Sequence, residues 1–430
     1  MATTKTNVTI AFIGPYRWLP GLKYNGTLVT NDIWTAVNMT NYIYDFFQPT
    51  APGVFYWCDI AGDLAIQAIN ANDSLLPNIH INIKRYNDAG PPYKSPGYTL
   101  AHTMPEIIAD QDVIAIFADF DRKVTGYSGE VMSIAELPFC GIETFSFKML
   151  NRYKYPYLMQ MMTMAGIAQA TYLLLQQWNV RRMAIIYSYS NNEWTSQAYS
   201  IIDYISRGGV TILTQLNSDL VLTPGGVDYL ASMLQLVDAR YIMIVSDVYN
   251  IADVYYSLAN RNASVGPDYV WLGNFPPVVN GDGTKIYGPN FFKLSRGFIF
   301  IAGGNMPTQY SSNLMNTFTA KVNNITAPLG ANPSPFNIGN INMAIAYDCA
   351  GLLASGFQKV LTSNPQFTPQ MLASRKLNAY MNSTLFENTG YRGISGDPMI
   401  MGPGARIFIN TLPEALHFQI LYHLQSRILA

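Results

Sequence analysis

The chain has 430 residues, of which 49% are hydrophobic and 12% are charged, and its formal net charge at pH 7 is −1. This length exceeds the size at which one hydrophobic core usually stops growing, so the sequence predicts two domains. A net charge near zero gives no long-range attraction for nucleic acid or anionic lipid, and the sequence has no Lys/Arg cluster with interleaved aromatic residues. We therefore expect no nucleic-acid partner.

The first part of the chain alternates between strand and helix patterns. The strands are apolar runs, and the helices have apolar residues at helical spacing. The predicted strands are 8–13, 79–86, 113–117 and 138–142, and the predicted helices are 60–72 and 124–135. Between the first strand and the first helix lie residues 15–56. A connection this long is uncommon unless it is functional, and it either covers the rim of a site or forms an interface.

The second part of the chain repeats this alternation. Residues 183–187 form a continuous apolar run, as a strand buried on both faces requires, and helical spacing begins at Trp194. Further predicted strands are 210–213, 241–245 and 269–272, and further predicted helices are 227–237 and 251–259. The pattern predicts two doubly wound α/β domains in tandem. In open α/β sheets, ligands bind at the carboxyl ends of the strands, where the polar loop 188–193 lies.

No catalytic, metal-binding or membrane-spanning motif is recognisable in the sequence. The four His residues are scattered, and the chain has no nucleophile elbow, Walker loop or GxGxxG sequence. The richest apolar run, 161–175, is shorter than the roughly 18 residues that span a bilayer, and its periodicity predicts the first helix of the second domain. We therefore expect a protein that is not an enzyme and has no cofactor and no metal ion.

Three cysteines, Cys58, Cys140 and Cys349, are too few for a disulfide framework, and one bridge is allowed but not required. The amino terminus lacks the basic and apolar regions of a signal peptide, so the chain is either cytosolic or a mature domain with an added Met. Seven glycosylation sequons compare with about four expected by chance, so they are either functional or accidental. They begin at Asn7, Asn25, Asn38, Asn72, Asn262, Asn324 and Asn382.

Several phrases, in their order along the chain, resemble the receptor family ligand-binding region, a type I periplasmic-binding-protein-like domain. This domain is shared by class C G-protein-coupled receptors and natriuretic-peptide receptors. The phrases are AGDLAIQAINANDSLLPNIHINIKRYNDAG (61–90), DVIAIFAD (112–119), LPFCGIETFSF (137–147), RYKYPYLMQMM (152–162), NVRRMAIIYS (179–188), GPDYVWLGNF (266–275), AYDCAGLLASGF (346–357) and the Gly-rich YRGISGDPMIMGPGARIFI (391–409).

The resemblance implies a Venus-flytrap clamshell of two lobes joined by a three-crossover hinge. Lobe 1 would comprise 6–157 and 302–369, and lobe 2 would comprise 158–301 and 370–430. A small-molecule or peptide ligand in the interlobe cleft would favour the closed state. The analogy also implies a homodimer or heterodimer through lobe 1, with helices 60–72 and 124–135 at the interface.

The ligand site that the resemblance implies lies on the strand-end loops of both lobes. Helix amino termini converge there, aromatic rings could cover an apolar or planar ligand, and the two cations could pair with an anionic group. The predicted ligand-binding residues are Asp121, Arg122, Lys123, Glu143, Thr144, Tyr189, Glu193, Trp194, Asp247, Tyr249, Asn274 and Phe275. The aromatic residues could equally pack at helix starts, and Asp247 could equally cap the helix that follows it.

Two functions of different class follow from the resemblance. The first is the extracellular ligand-binding domain of a membrane receptor, a glycoprotein that acts in signal transduction through a membrane effector domain outside this chain. The second is a freestanding solute-binding protein that delivers its ligand to a transporter. The sequons and the receptor-like phrases favour the first, on the extracellular side of the plasma membrane.

Overall fold

A computed structural model describes residues 5–19, 21–31, 51–90, 96–118, 122–142, 149, 151–161, 165–277, 283–288, 298–301, 308–326, 341–387, 389–396, 400–401 and 406–407. These residues belong to two compact units. Unit 1 holds the described residues of Met1–Thr163 and Gly304–Ile409, and unit 2 holds those of Met164–Gly303.

The strands and helices alternate along most of the described chain. The strands are β1 (Thr6–Gly14), β2 (Tyr24–Asn25), β3 (Leu28–Val29), β4 (Ile79–Asn87), β5 (Val113–Ala118), β6 (Phe139–Gly141), β7 (Leu158–Gln160), β8 (Arg182–Tyr187), β9 (Thr211–Asn217), β10 (Tyr241–Val245), β11 (Val270–Gly273), β12 (Phe298–Phe300), β13 (Ile400–Met401) and β14 (Arg406–Ile407). The helices are α1 (Ala51–Asn70), α2 (Met104–Ala109), α3 (Arg122–Ile134), α4 (Ala165–Gln177), α5 (Asn192–Arg207), α6 (Gly226–Leu236), α7 (Val248–Asn260), α8 (Gly283–Tyr287), α9 (Gln309–Thr326), α10 (Ile341–Ser363) and α11 (Pro369–Ala373).

Unit 1 is built on a sheet whose described strands run in the order β2-β3-β4-β1-β5-β6-β7. The strands from β4 to β7 pair in parallel. Strand β5 is buried along its whole length, which explains its unbroken apolar sequence. The Phe12 and Phe117 rings stack 4.2 Å apart on the face that α1 covers. Gly62 allows this close approach, because a Cβ atom there would lie 2.8 Å from the Phe117 ring.

Part of the long connection after β1 extends this sheet. Strands β2 and β3 form an antiparallel hairpin, and β3 pairs antiparallel with β4. Glu106 of α2 holds the turn, because its carboxylate accepts hydrogen bonds from the Thr27 amide (2.8 Å), the Leu28 amide (3.2 Å) and the Thr27 hydroxyl. Residues 24–29 of the predicted connection 15–56 therefore form an edge of the unit 1 sheet, residues 51–56 already belong to α1, and residues 32–50 lie outside the described residues.

The carboxyl-terminal boundary of the first lobe differs from the prediction. Residues 370–430 were expected in lobe 2, but the described residues among 370–409 belong to unit 1. The Arg375 guanidinium explains this placement, because it donates hydrogen bonds to the backbone carbonyls of Val113 (2.6 Å), Ile108 (3.0 Å), Ile107 (3.1 Å) and Asp110. Strand β7 also joins the sheet of unit 1, although residue 158 was predicted to begin lobe 2.

An acidic group next to this clamp makes the stability of unit 1 depend on pH. Burial raises the pKa of Asp110, but hydrogen bonds from Lys84 (2.8 Å) and Tyr86 (2.6 Å) outweigh this effect and lower the pKa overall. The carboxylate therefore stabilises the fold above the unfolded-state pKa of about 3.9, and that contribution is lost as the pH falls through the lower folded-state pKa.

We expect Asp110→Asn to lower the melting temperature at neutral pH. The difference in melting temperature between wild type and variant should become smaller as the pH falls. Melting curves recorded from neutral pH down through the carboxyl range measure both effects. Wild-type and variant curves that stay parallel across that range would contradict this assignment.

Unit 2 is a second parallel sheet, with the described strands in the order β12-β11-β10-β8-β9. Strands β8 and β10 are the central pair, and β8 lies beside β9 at one edge. The apolar stripe of α5 is buried at Trp194, Ala198, Ile201 and Ile205. The two doubly wound parallel sheets confirm the predicted fold class. None of the helices in the described ranges is long and apolar enough to cross a membrane.

The structure also resolves the question of cysteine pairing. Cys140 of β6 and Cys349 of α10 form a disulfide within unit 1, and both are fully buried. Cys58 of α1 is buried and is not in a disulfide. The sequence allowed one bridge without choosing the pair, because a strand and a helix 209 residues apart show no local sign of their contact.

Candidate functional site

Helices begin close to the carboxyl ends of the β8 and β10 strands of unit 2, and side chains cap both helices. The Asn191 side chain accepts a hydrogen bond from the Glu193 amide (2.9 Å) at the start of α5. Asp247 accepts from the Tyr249 and Asn250 amides (both 3.0 Å) at the start of α7, which confirms the capping alternative for this residue. We call this side of unit 2 the strand-end edge.

A buried polar cluster lies at the strand-end edge. The Asn274 carbonyl oxygen accepts from the Ser246 amide (3.1 Å), and the Asn274 amide nitrogen donates to Gln197 Oε1 (3.2 Å). All three residues are buried. The bonds join the chain after β10, the chain after β11 and the second turn of α5, so they fix the relative positions of these three segments.

Several buried polar atoms at the strand-end edge have unused hydrogen-bonding capacity. Among the described residues, no partner exists for Gln197 Nε2, Ser246 Oγ or Asn250 Oδ1, although each atom is buried. A buried polar atom without a partner costs roughly 1–3 kcal/mol, so such atoms are uncommon unless water or a ligand satisfies them. Together they offer an amide donor, a hydroxyl and a carbonyl acceptor.

Two exposed aromatic side chains lie in the segments that follow β8 and β10, and the Tyr189 hydroxyl donates to the Gln215 carbonyl of β9 (3.4 Å). Tyr189 is 47% exposed and Tyr249 is 37% exposed, so both retain open ring surface at this edge. The Tyr189 ring lies 4.7 Å from that of Tyr187, and burial raises the pKa of Tyr187 well above its usual range. The Asp219 carboxylate accepts from the Tyr189 (3.1 Å) and Ser190 (2.9 Å) amides and so orders the loop after β8.

Trp194 was predicted to cover a ligand, but the structure buries its side chain. Its side chain is only 2% exposed, and its ring meets the half-buried Phe275 ring edge-on, with centroids 5.7 Å apart. The indole therefore belongs to the interior of unit 2, and the packing alternative describes it. Glu193, one position earlier, is half-buried in the first turn of α5.

The predicted residues of unit 1 are only partly described. Arg122 and Lys123 begin α3, as a strand-end site would require, and their side chains lie outside the description. Asp121, Glu143 and Thr144 lie outside the described residues. For these residues of unit 1, a ligand-binding role therefore stays a prediction.

Unit 1 carries a buried ion pair where β1 and β4 end, which the sequence reading missed. The Asp59 carboxylate accepts from the Tyr16 hydroxyl (2.7 Å) and from Arg85 Nε (3.1 Å). Burial raises the pKa of Tyr16 well above its usual range, so its hydroxyl stays protonated as a donor. This compensated pair anchors the chain after β1 to α1, and its charges neutralise each other.

Gln197 is the main residue of the strand-end edge that the sequence reading missed. It lies three residues after Trp194 and immediately before Ala198, within the apolar stripe of α5. A polar amide on a buried helical face was the available signal, because such a group needs a hydrogen-bonding partner. Ser246 and Asn250 are the sequence neighbours of the predicted site residues Asp247 and Tyr249, and they were not singled out.

Residues 58–408 match the sequence profile of the receptor family ligand binding region. The chain belongs to this family. The match covers most of both units, and it confirms the resemblance that the phrases indicated. No curated protein is a significant sequence match to the chain.

Solved structures with the same fold share this family's architecture. An ABC transporter substrate-binding protein from Desulfitobacterium hafniense is similar at 14% identity with a TM-score of 0.62, covering 94% of this chain and 95% of the other. A structure of such a protein from that organism in complex with Leu has a TM-score of 0.61 at the same identity and coverage. A putative branched-chain amino acid ABC transporter protein from Rhodospirillum rubrum has a TM-score of 0.54 at 13% identity, covering 94% of this chain and all of the other. At these identities the likeness shows the fold alone.

Within the described ranges, no group of three or more His, Cys, Asp or Glu side chains could hold a metal ion. The unsatisfied atoms of Gln197, Ser246 and Asn250 are neutral hydrogen-bonding groups, and exposed aromatic rings lie in the same strand-end segments.

Proposed function

We propose that this chain is the extracellular ligand-binding domain of a membrane receptor, and that the strand-end edge of unit 2 holds the polar groups of a small-molecule ligand. The observation that carries the proposal is the presence of three buried, unsatisfied polar atoms at the strand-end edge, on Gln197, Ser246 and Asn250. Family membership supports ligand binding as the general activity.

The chemistry of these atoms defines the class of ligand. Gln197 Nε2 can donate, Asn250 Oδ1 can accept, and Ser246 Oγ can do both. A ligand that satisfies them carries donors and acceptors together, as an amino acid does. The Tyr189 and Tyr249 rings suit an apolar or planar portion of the same molecule. The complex of a similar structure with Leu makes amino acids the first class to test.

Ser246→Ala is the sharpest test of this site. The Ser246 hydroxyl has no partner among the described residues, so its removal should leave the melting temperature unchanged or slightly higher. It should weaken an amino-acid ligand by about 2- to 13-fold, the equivalent of 0.5–1.5 kcal/mol for one hydrogen bond. A thermal-shift screen of amino acids identifies the ligand, and titration calorimetry measures the affinities.

Ser264→Ala is the matched control. Ser264 is also buried with an unsatisfied hydroxyl in unit 2, but it precedes β11 rather than following a strand. We expect its variant to bind like wild type. Equal affinities of wild type and the Ser246 variant would contradict the site, and failure of all amino acids to bind would contradict the ligand class.

A second candidate function competes with the membrane receptor. The similar solved structures are ABC transporter substrate-binding proteins, which favours a freestanding solute-binding protein as the second candidate. Fractionation of native cells separates the two, because a receptor should stay in the membrane fraction after carbonate extraction, whereas a freestanding protein should be released.

Location outside the cytoplasm is part of the proposal. The buried Cys140–Cys349 disulfide supports it, because such bonds persist mainly in oxidising compartments. The sequon asparagines Asn25, Asn72 and Asn262 are exposed, which is compatible with glycosylation. A glycosidase-sensitive mass shift of the native protein would support a glycoprotein.

We further propose that the chain binds its ligand without converting it, and that dimerisation through unit 1 accompanies receptor function. Unchanged ligand after prolonged incubation would support the first proposal. Sedimentation of the purified chain tests the second, although the apolar stripe of helix 60–72 is already buried at Ile60, Leu64 and Ile69 within unit 1.

A further inference from the structure

One of the glycosylation sequons opens onto a groove in unit 1. Asn72 and Ser74 begin and end an Asn-Asp-Ser sequon, and both are exposed. Both also line a groove of about 600 Å³ between α1 and α10, which the start of α9 and residues 389–392 complete. None of the other sequon asparagines in the described part of the chain lines this groove. A modification at Asn72 would therefore lie next to a space that can hold it.

Hydrogen bonds fix the orientation of the Asn72 side chain. Its carbonyl oxygen accepts from the Ser74 amide (3.1 Å) and the Ser74 hydroxyl (2.7 Å). These bonds use the oxygen, so the amide nitrogen Nδ2, to which a sugar is joined in N-linked glycosylation, stays available. Lys5 holds the same turn, because its Nζ donates to the Asp73 carboxylate (2.6 Å) and the Asn70 carbonyl (3.3 Å).

The groove is long, and small residues line part of it. Its lining follows α10 from Tyr347 to Thr362, which corresponds to about 22 Å of helix. Ala65 and Ala68 of α1 and Gly351 of α10 contribute to this lining without long side chains. The volume falls within the range of roughly 300–1,000 Å³ that is usual for small-molecule sites. A space of this length has room for more than one sugar ring.

The lining combines aromatic surface with hydrogen-bonding groups. Tyr310 is 41% exposed, although the Arg392 guanidinium lies over its ring, 4.2 Å from the centroid. The C–H groups of a sugar ring pack well against aromatic rings, whose faces carry partial negative charge. The hydroxyl and N-acetyl groups of a sugar need both donors and acceptors, and the side chains of Ser355, Gln358 and Thr362 offer both.

We propose that Asn72 carries an N-linked glycan whose first sugars lie in this groove, against α1, α9 and α10. In the attachment step, Asn72 Nδ2 forms a bond to the anomeric carbon of an oligosaccharide that is joined to a lipid through a diphosphate. The bond between that carbon and the diphosphate oxygen breaks, the lipid diphosphate leaves, and Nδ2 releases one proton. The inference rests on the proposed location outside the cytoplasm, because N-linked glycans are features of secreted proteins.

Peptide mapping of the full chain secreted from eukaryotic cells tests the attachment. Enzymatic release of N-linked glycans in heavy-oxygen water labels each asparagine that carried one, and we expect the label at Asn72. Ser74→Ala destroys the sequon and should abolish this label, whereas Ser74→Thr preserves the sequon and should retain it. Asn25→Gln is the matched control, because it removes an exposed sequon of β2 outside the groove and should leave Asn72 labelled.

The rate of glycan release from the folded chain tests the packing in the groove. A glycosidase acts on the fraction of glycan that has left the groove, so docking should slow the release. Ala68 is half-buried in the lining, and Ala68→Leu should narrow the groove and speed release at Asn72 by roughly tenfold. Ala71→Leu is the matched control, because Ala71 precedes the sequon but does not line the groove. Its release rate should equal that of wild type, and all three chains should behave alike after unfolding.

The outcomes distinguish this inference from the proposed function. An unlabelled Asn72 in a chain whose other sequons carry glycans would overturn the inference and leave the proposed location intact. The absence of glycans from every sequon would overturn the inference together with the proposed glycoprotein. A labelled Asn72 whose glycan leaves wild type and Ala68→Leu at equal rates would show that the sugars do not lie in the groove.

Discussion

Reduction of the Cys140–Cys349 disulfide is expected to lower the free energy of unfolding of unit 1 by up to about 5 kcal/mol. The bridge joins residues 209 apart, and a cross-link that closes a longer loop removes more conformational entropy from the unfolded chain. Roughly 5 kcal/mol is the value of the chain-entropy relation for a loop of this length, and measured effects are commonly 2–5 kcal/mol. Urea unfolding with and without reductant measures the change.

Variants of the three cysteines make this test specific. The double variant Cys140→Ala/Cys349→Ala should resemble reduced wild type and should no longer respond to reductant. Cys58→Ala retains the bridge, so reductant should still shift its unfolding midpoint. Identical midpoints of oxidised and reduced wild type would show that the bridge contributes nothing to stability. A large shift would support the proposed oxidising compartment, because the fold would be weakened in a reducing one.

Much of the sheet framework could be predicted from the sequence, because strands that are buried on both faces must be apolar throughout. Strand β5 was predicted to within one residue for this reason. Strand β9 is four residues longer at its carboxyl end than predicted, because it lies at the edge of its sheet. Its exposed side tolerates polar residues such as Gln215 and Asn217, which interrupt the apolar pattern.

The β2–β3 hairpin left a weaker signal. Its strands are two residues long, so no alternation can develop in them. The turn residue Gly26 has a positive φ of +64°, as the first position of a tight two-residue hairpin loop often requires. Gly26, between the short segments Tyr24-Asn25 and Leu28-Val29, was the only local indication.

The placement of residues 370–396 could not be inferred locally. Arg375 reaches carbonyl groups more than 260 residues earlier in the chain, and no periodicity encodes such a contact. In the candidate site, too, some features followed from the local sequence and others depend on tertiary packing. Loop positions at strand ends followed from the strand pattern, whereas the burial of Trp194 and the role of Gln197 depend on how α5 packs against its sheet.

Trp194→Ala is expected to lower the free energy of unfolding of unit 2 by about 3–5 kcal/mol, the usual cost of truncating a large buried aromatic residue. Trp194 is among the largest fully buried side chains in the described structure, and its removal would leave a cavity beside Phe275 and under the start of α5. Unit 2 includes Met164–Gly303. For a domain of roughly 150 residues, 1 kcal/mol shifts the melting temperature by about 4 °C, so the melting temperature of unit 2 should fall by roughly 10 °C or more.

Tyr249→Ala is the control that separates packing from binding. Tyr249 lies at the same strand-end edge but is 37% exposed, so its truncation should leave the melting temperature nearly unchanged while weakening the ligand. Differential scanning calorimetry and ligand titration on both variants give the two readouts. If Trp194→Ala keeps the wild-type melting temperature and weakens ligand binding, the indole contacts the ligand. If the variant lowers the melting temperature and leaves ligand binding unchanged, the indole belongs to the core. The geometry favours the core, because a ring that is 2% exposed and edge-on to Phe275 has almost no surface left for a ligand.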